Sequence, residues 1–92
     1  MYSVNKTPNS VLQEISNKIR AIRKTYKYSQ EELAKRSGVS LGSLKRFEST
    51  GKISLESLLR LMHVFGRLEE FDNILLPQKD MSEIEKLFSD DL

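Results

Sequence analysis

In the stretch "GVSLGSLKRFE", residues 38–48, Leu44 and Phe47 have the helical spacing of a buried face. Gly42, Lys45, Arg46 and the following Ser49 then share the outer face. That face offers two cations, a hydroxyl and one missing side chain. Arg46 or Lys45 can donate to guanine O6/N7, and a good bidentate contact of this kind discriminates by about 1–3 kcal/mol. Lys45 can equally serve a phosphate. Glycine inside a helix costs about 1 kcal/mol relative to alanine. Close approach of the backbone to bases or phosphate explains that cost at Gly42, and Leu41 beside it can meet a thymine methyl. The plainer alternative is that Gly42 relieves crowding against the preceding helix or the N-terminal arm. Gln30 opens that preceding helix, where a neutral amide, free backbone N–H groups and the positive helix end suit a phosphate oxygen.

Other chemistries find no support. There is no cysteine, so neither a disulfide framework nor a thiolate metal site can form. His63 is the only histidine, and without paired carboxylates at ligand spacing it reads as a core-edge or surface residue. No nucleophile–base pair, glycine-rich phosphate loop or metal cluster is found, and the serines read as helix caps. The chain is expected not to be an enzyme and to need no cofactor.

The elements that position these residues are helical. Sustained period-two alternation and Asn-Gly turns are missing. Val11, Leu12, Ile15, Ile19 and Ile22 repeat at 3–4 spacing after Thr7-Pro8 and Ser10, which are suitable starting residues. Ser29 opens "SQEE", a capping box in which Glu32 reaches back to the cap amide; that helix runs to about Ser37, and Gly38 ends it. Ser40 caps the third helix, 41–50, which stops near Gly51. Ser54 caps a fourth, with Leu55, Leu58, Leu59, Met62 and Phe65 as its stripe and Gly66 as its stop. A fifth is expected from about Leu68 to Leu75, burying Leu68, Phe71 and Leu75 and ended by Pro77. The last segment begins "SEIE", a second capping box, with Met81, Ile84, Leu87 and Phe88 as its apolar residues. Helices two and three are separated only by "GVS", which forces a sharp bend, and Ala34 is small where the two must meet. Leu33, Ala34, Val39, Leu44 and Phe47 form one inner surface.

Bulk properties agree. Ninety-two residues make one domain with a modest core. The expected division is an N-terminal arm, 1–9, a helix-turn-helix domain, 10–76, and an acidic C-terminal segment, 77–92. The net charge of +2 conceals a split. Residues 1–52 carry eleven Lys/Arg against four Asp/Glu, a net +7; residues 53–92 carry four against nine, a net −5. A polyanion is the expected partner of the first half, and Lys18, Arg20, Lys24, Lys27, Lys35 and Arg36 add to its positive potential. The opening "MYSVNKTPNSVLQ" has no basic region followed by an apolar run, and no apolar segment approaches the ~20 residues of a membrane span. The expected location is the cytoplasm.

"SQEELAKRSGVSLGSLKRFE" resembles the helix-turn-helix of the Cro/phage-repressor (XRE) family, through Gln30, Leu33-Ala34, Gly38, Val39, Leu44 and Glu48. The resemblance covers residues 11–76 and implies an all-α, five-helix, lambda-repressor-like fold. It implies phosphate contact for Gln30 and places Leu41, Gly42, Ser43, Lys45 and Arg46 against bases and adjacent phosphates. Arg23 and Glu48 match a pair that acts as structural glue. The full candidate DNA-binding set is Gln30, Ser40, Leu41, Gly42, Ser43, Lys45, Arg46, Ser49 and Lys52. Departures are Leu41 and Gly42, where many relatives place polar base readers, Ser37, which is less apolar than usual, and "ESTG", one residue longer than the common turn.

The resemblance further implies a homodimer on double-stranded DNA, reading half-sites about one helical turn apart. Helices four and five are the expected interface, with Leu61, Val64, Ile74 and Leu76 as apolar surplus; the alternative is that these residues cover the C-terminal segment of the same chain. Two functions stay open: a free-standing repressor, and an antitoxin that neutralises a protein toxin while repressing its own operon. The second draws on "FESTGKISLESLLRL", which is similar to HipB-like antitoxins.

Overall fold

The computed structural model describes residues 6–77. The expected "SEIE" cap and its apolar residues lie outside the described residues. Four α-helices follow one another: α1 (Pro8–Thr25), α2 (Gln30–Ser37), α3 (Leu41–Thr50) and α4 (Leu55–Val64), then a 3-10 helix at Leu68–Asn73. No helix among the described residues is long and apolar enough to cross a membrane.

Each α-helix starts on a side-chain oxygen. Thr7 and Ser10 form a reciprocal capping box around Pro8 at the start of α1. Ser29, Ser40 and Ser54 accept from Glu32 N, Ser43 N and Ser57 N at 3.0–3.1 Å. Only half of the expected box at α2 forms, because the Glu32 carboxylate takes the Arg36 guanidinium at 2.7 Å instead of turning back to the cap amide. A salt bridge one turn along is the stronger offer to an anionic carboxylate than a single neutral N–H.

Leu33, Leu44, Phe47 and Leu61 are almost wholly buried, with Ile19, Ala34, Val39, Met62 and Phe65 around them. The inner surface expected of α2 and α3 is therefore the centre of the core. Two apolar expectations are corrected. Leu61 is core and not interface surplus, while Leu55 is 66% exposed at the first turn of α4. The core side of α4 is Leu58, Leu61, Met62 and Phe65, a 3–4 series as regular as the one expected. The fifth helix is a short 3-10 turn without a side-chain cap. Phe71 packs on the core, but Leu68 is 38% and Leu75 94% exposed. Leu75 has a φ of +57°, which breaks any helix there.

Two ties hold α3 across α1. Near its end, Gln13 donates to the Thr50 carbonyl at 3.1 Å, and Gly51, at φ +82°, faces the Leu12 backbone. A Cβ on Gly51 would lie 3.0 Å from Leu12 C and Cβ. Gly51→Ala combines a left-handed backbone, about 1–2 kcal/mol, with overpacking against main chain, about 1–3 kcal/mol. The expected loss in chemical denaturation is about 2–5 kcal/mol; a midpoint matching the parent's would mean that the end of α3 is not pressed on α1. The second tie belongs to the site.

Candidate nucleic-acid interface

Glu48, on the inner edge of α3, is the anchor. Its carboxylate accepts a two-pronged bond from Arg23, Nε to Oε2 at 2.7 Å and Nη2 to Oε1 at 3.0 Å. Arg23 Nη1 donates to the Tyr28 carbonyl at 2.8 Å, which fixes the bend between α1 and α2. Side-chain exposures of 10% for Arg23 and 5% for Glu48 mark a buried pair. Arg23 and Glu48 thus form a bidentate clamp between α1 and α3. Gln30 Nε2 donates to Glu48 Oε1 at 2.9 Å, and Arg20 Nε approaches the same oxygen at 4.0 Å. Gln30 is therefore held from beneath by Glu48. Its nitrogen carries a second hydrogen, so the tie orients the amide without using up its capacity to donate.

Burial alone would push the Glu48 carboxyl up. The hydrogen bonds from Arg23 and Gln30 and the charges of Arg23 and Arg20 outweigh it, so the group is held below its ordinary value. A depressed folded value means stability that is present above the unfolded value, about 4.3, and lost as pH falls through the folded one. Unfolding midpoints are expected to drop on acidification below about pH 4, and Glu48→Gln is expected to flatten that drop. Parallel pH profiles of the two proteins would remove Glu48 from the acid response.

Above this anchor α3 presents its outer face. Gly42, Ser43, Lys45, Arg46 and Ser49 are all exposed and Leu41 is half-buried. Among the described residues, no carboxylate lies within salt-bridge distance of Lys45, Arg46 or Lys52. Ser40 and Ser43 are engaged locally, as Ser40 Oγ donates to Ser43 Oγ at 2.8 Å, leaving the Ser43 hydrogen free. Ser49 Oγ donates to the Arg46 carbonyl at 3.2 Å.

The outer ridge of α3 is flanked by two cationic depressions. On one side, Ser43, Arg46 and Lys52 meet Ile53, Ser54 and Ser57 at the start of α4, around about 340 Å³. On the other, Lys45 and Ser49 meet Arg20, Gln30 and Glu48, around about 180 Å³. Arg20 lines the same depression as Lys45 and Gln30, although sequence reasoning placed it only in a general basic set. Of the wall made by Ser54 and Ser57, sequence reasoning singled out Ser54 alone, as a helix cap. Two members of that basic set, Lys18 and Arg36, face elsewhere. Lys18 lines a groove with Leu58, Met62 and Phe71, and Arg36 pairs with Glu32 while lying 4.6 Å from the Tyr28 ring centre.

Residues 19–71 match the family model described as helix-turn-helix (HTH_3). The chain belongs to this family. It is a Cro/repressor-like (XRE) helix-turn-helix protein with a small all-α fold, a DNA-binding transcriptional regulator. No curated protein and no solved structure matches the chain. In this helix-turn-helix protein α2 and α3 are the motif. The left-handed Gly38, at φ +77°, makes the bend, and its N–H donates to the Ala34 carbonyl at 2.9 Å. Buried Ala34 and Val39 let the two helices close on each other.

Proposed function

We propose that the protein is a cytoplasmic repressor that binds a palindromic operator as a homodimer, with α3 in the major groove of each half-site. The observation that carries this reading is the pair of cationic depressions on either side of the α3 ridge. A helix in the major groove has a phosphate backbone on each flank, and each depression offers donors to one of them. Lys52, the Ser54–Ser57 wall and the first turn of α4 suit one strand. Arg20, Gln30 and Lys45 suit the other. Gln30, Ser40, Leu41, Gly42, Ser43, Lys45, Arg46, Ser49 and Lys52 are the proposed contact set, with Arg20 added.

Dimerisation is supported by apolar surface at the C-terminal side of the described residues. Leu68, Ile74, Leu75 and Leu76 are 38%, 51%, 94% and 57% exposed, and exposed apolar surface of this kind marks interaction sites when it is contiguous. Val64, half-buried, lines a groove with Leu68; Leu61 is buried and does not take part. A protein toxin as the partner of that surface is the second reading, and it draws on the same exposed leucines. Co-purification of a second chain with the protein from its native host favours the antitoxin; a homodimer alone favours the repressor.

Selection of bound sites from random duplex DNA tests the proposal, and two related half-sites about one turn (roughly 34 Å) apart are expected. On the selected duplex Arg46→Ala should cost about 1–3 kcal/mol and relax preference at one base position. A uniform loss on every sequence would instead assign Arg46 to the depression it shares with Lys52, as a phosphate contact.

A further inference from the structure

Gly38, Gly51 and Gly66 have φ values of +77°, +82° and +69°, so the backbone itself accounts for these glycines. Gly42 is different. It is the second residue of α3, with ordinary helical backbone. A Cβ built on it meets no atom within 4 Å among the described residues. Crowding against α2 or against residues 6–9 of the arm, within the plainer of the two explanations open to the sequence, is therefore removed; residues 1–5 of the arm lie outside the described residues. Nothing in the described chain asks for a glycine, although alanine would make the better helix.

Its place on α3 supplies the reason. At about 100° per residue, Gly42 lies nearly in line with Arg46 and Ser49, which edge the two depressions from the crest of the ridge between them. Ser43 turns toward the depression shared with Lys52, and Lys45 toward the one shared with Arg20. Once phosphates fill both depressions, that crest faces the floor of the groove. We propose that Gly42 is the protein's point of closest approach to the duplex and sets how deeply α3 seats. Base-pair edges enter the shell that a Cβ would occupy, so residue 42 determines specificity by steric exclusion and not by a hydrogen bond. The inference rests on the DNA reading above and assigns the depth of contact within it.

Gly42→Ala tests it, with thermal midpoint and affinity measured in one low-salt buffer. Affinity is measured both for a duplex recovered by selection and for an unrelated duplex. The midpoint is expected to stay or to rise by about 2–5 °C. Affinity for the selected duplex is expected to fall about tenfold or more, with less than about a twofold change on the unrelated one. Unchanged affinity for the selected duplex, an equal loss on both duplexes, or a lowered midpoint would each overturn the assignment. Failure of the parent protein to bind any duplex would remove the DNA reading itself, an outcome visible before the variant is made.

Discussion

Glu48→Ala is expected to lower the unfolding free energy by about 3–5 kcal/mol, because it leaves the Arg23 guanidinium buried without its counter-charge. Arg23 is 10% exposed, and two of its three hydrogen bonds end on Glu48. The change is a large part of the 5–15 kcal/mol typical of a whole domain. It should appear in chemical denaturation as a lower midpoint with an unchanged slope. Replacing both Arg23 and Glu48 with apolar residues of similar volume should recover part of the loss, since the isolated charge and not the missing attraction is the main penalty. The recovery should be incomplete, because the Tyr28 carbonyl then loses Arg23 Nη1. DNA affinity should fall even under conditions where the Glu48→Ala protein is folded, since Gln30 loses the acceptor that orients it. A midpoint within experimental error of the parent's would mean that α1 and α3 are held together by packing alone.

The second large effect is on binding. Arg20, Lys45, Arg46 and Lys52 line the two depressions, four cations per protomer and eight in the proposed dimer. If six to eight of them neutralise phosphates, log affinity should fall against log salt with a slope of about −5 to −7. Between 50 and 200 mM salt, affinity should then drop by about 10³- to 10⁴-fold. Lys52→Ala and Arg20→Ala should each reduce the slope by about 1 per site engaged and weaken all sequences alike. A slope near zero would show that these cations do not meet the DNA backbone.

The helix starts were legible because a cap is written in local sequence: Ser29, Ser40 and Ser54 each place an oxygen before a helical run. Gly38 and Gly51 mark stops for the same local reason. What failed depended on neighbours distant in the chain. In α4 the series Leu55–Leu58–Leu59–Met62 and Leu58–Leu61–Met62–Phe65 are equally periodic, and only the packing of α2 and α1 against α4 selects the second. Past Gly66, Leu68, Phe71 and Leu75 kept helical spacing, but that spacing does not distinguish an α-helix from a short 3-10 helix. Within the site, the outer face of α3 followed from turning Leu44 and Phe47 inward. The tie of Gln30 to Glu48 and the arrival of Arg20 beside Lys45 had no such signal, because they join three helices whose crossing no spacing encodes. The Arg23–Glu48 pair was anticipated through family resemblance alone.

The seating of α3 in the major groove is tested most directly by methylation interference on a duplex recovered by selection. Methyl groups placed on guanine N7 project into the major groove, and those on adenine N3 into the minor groove. Bound DNA is expected to be depleted of N7-methylated guanines within each half-site, and little depleted of N3-methylated adenines there. Interference from N3 methylation alone, with N7 methylation tolerated throughout both half-sites, would place the protein in the other groove and contradict the role assigned to α3.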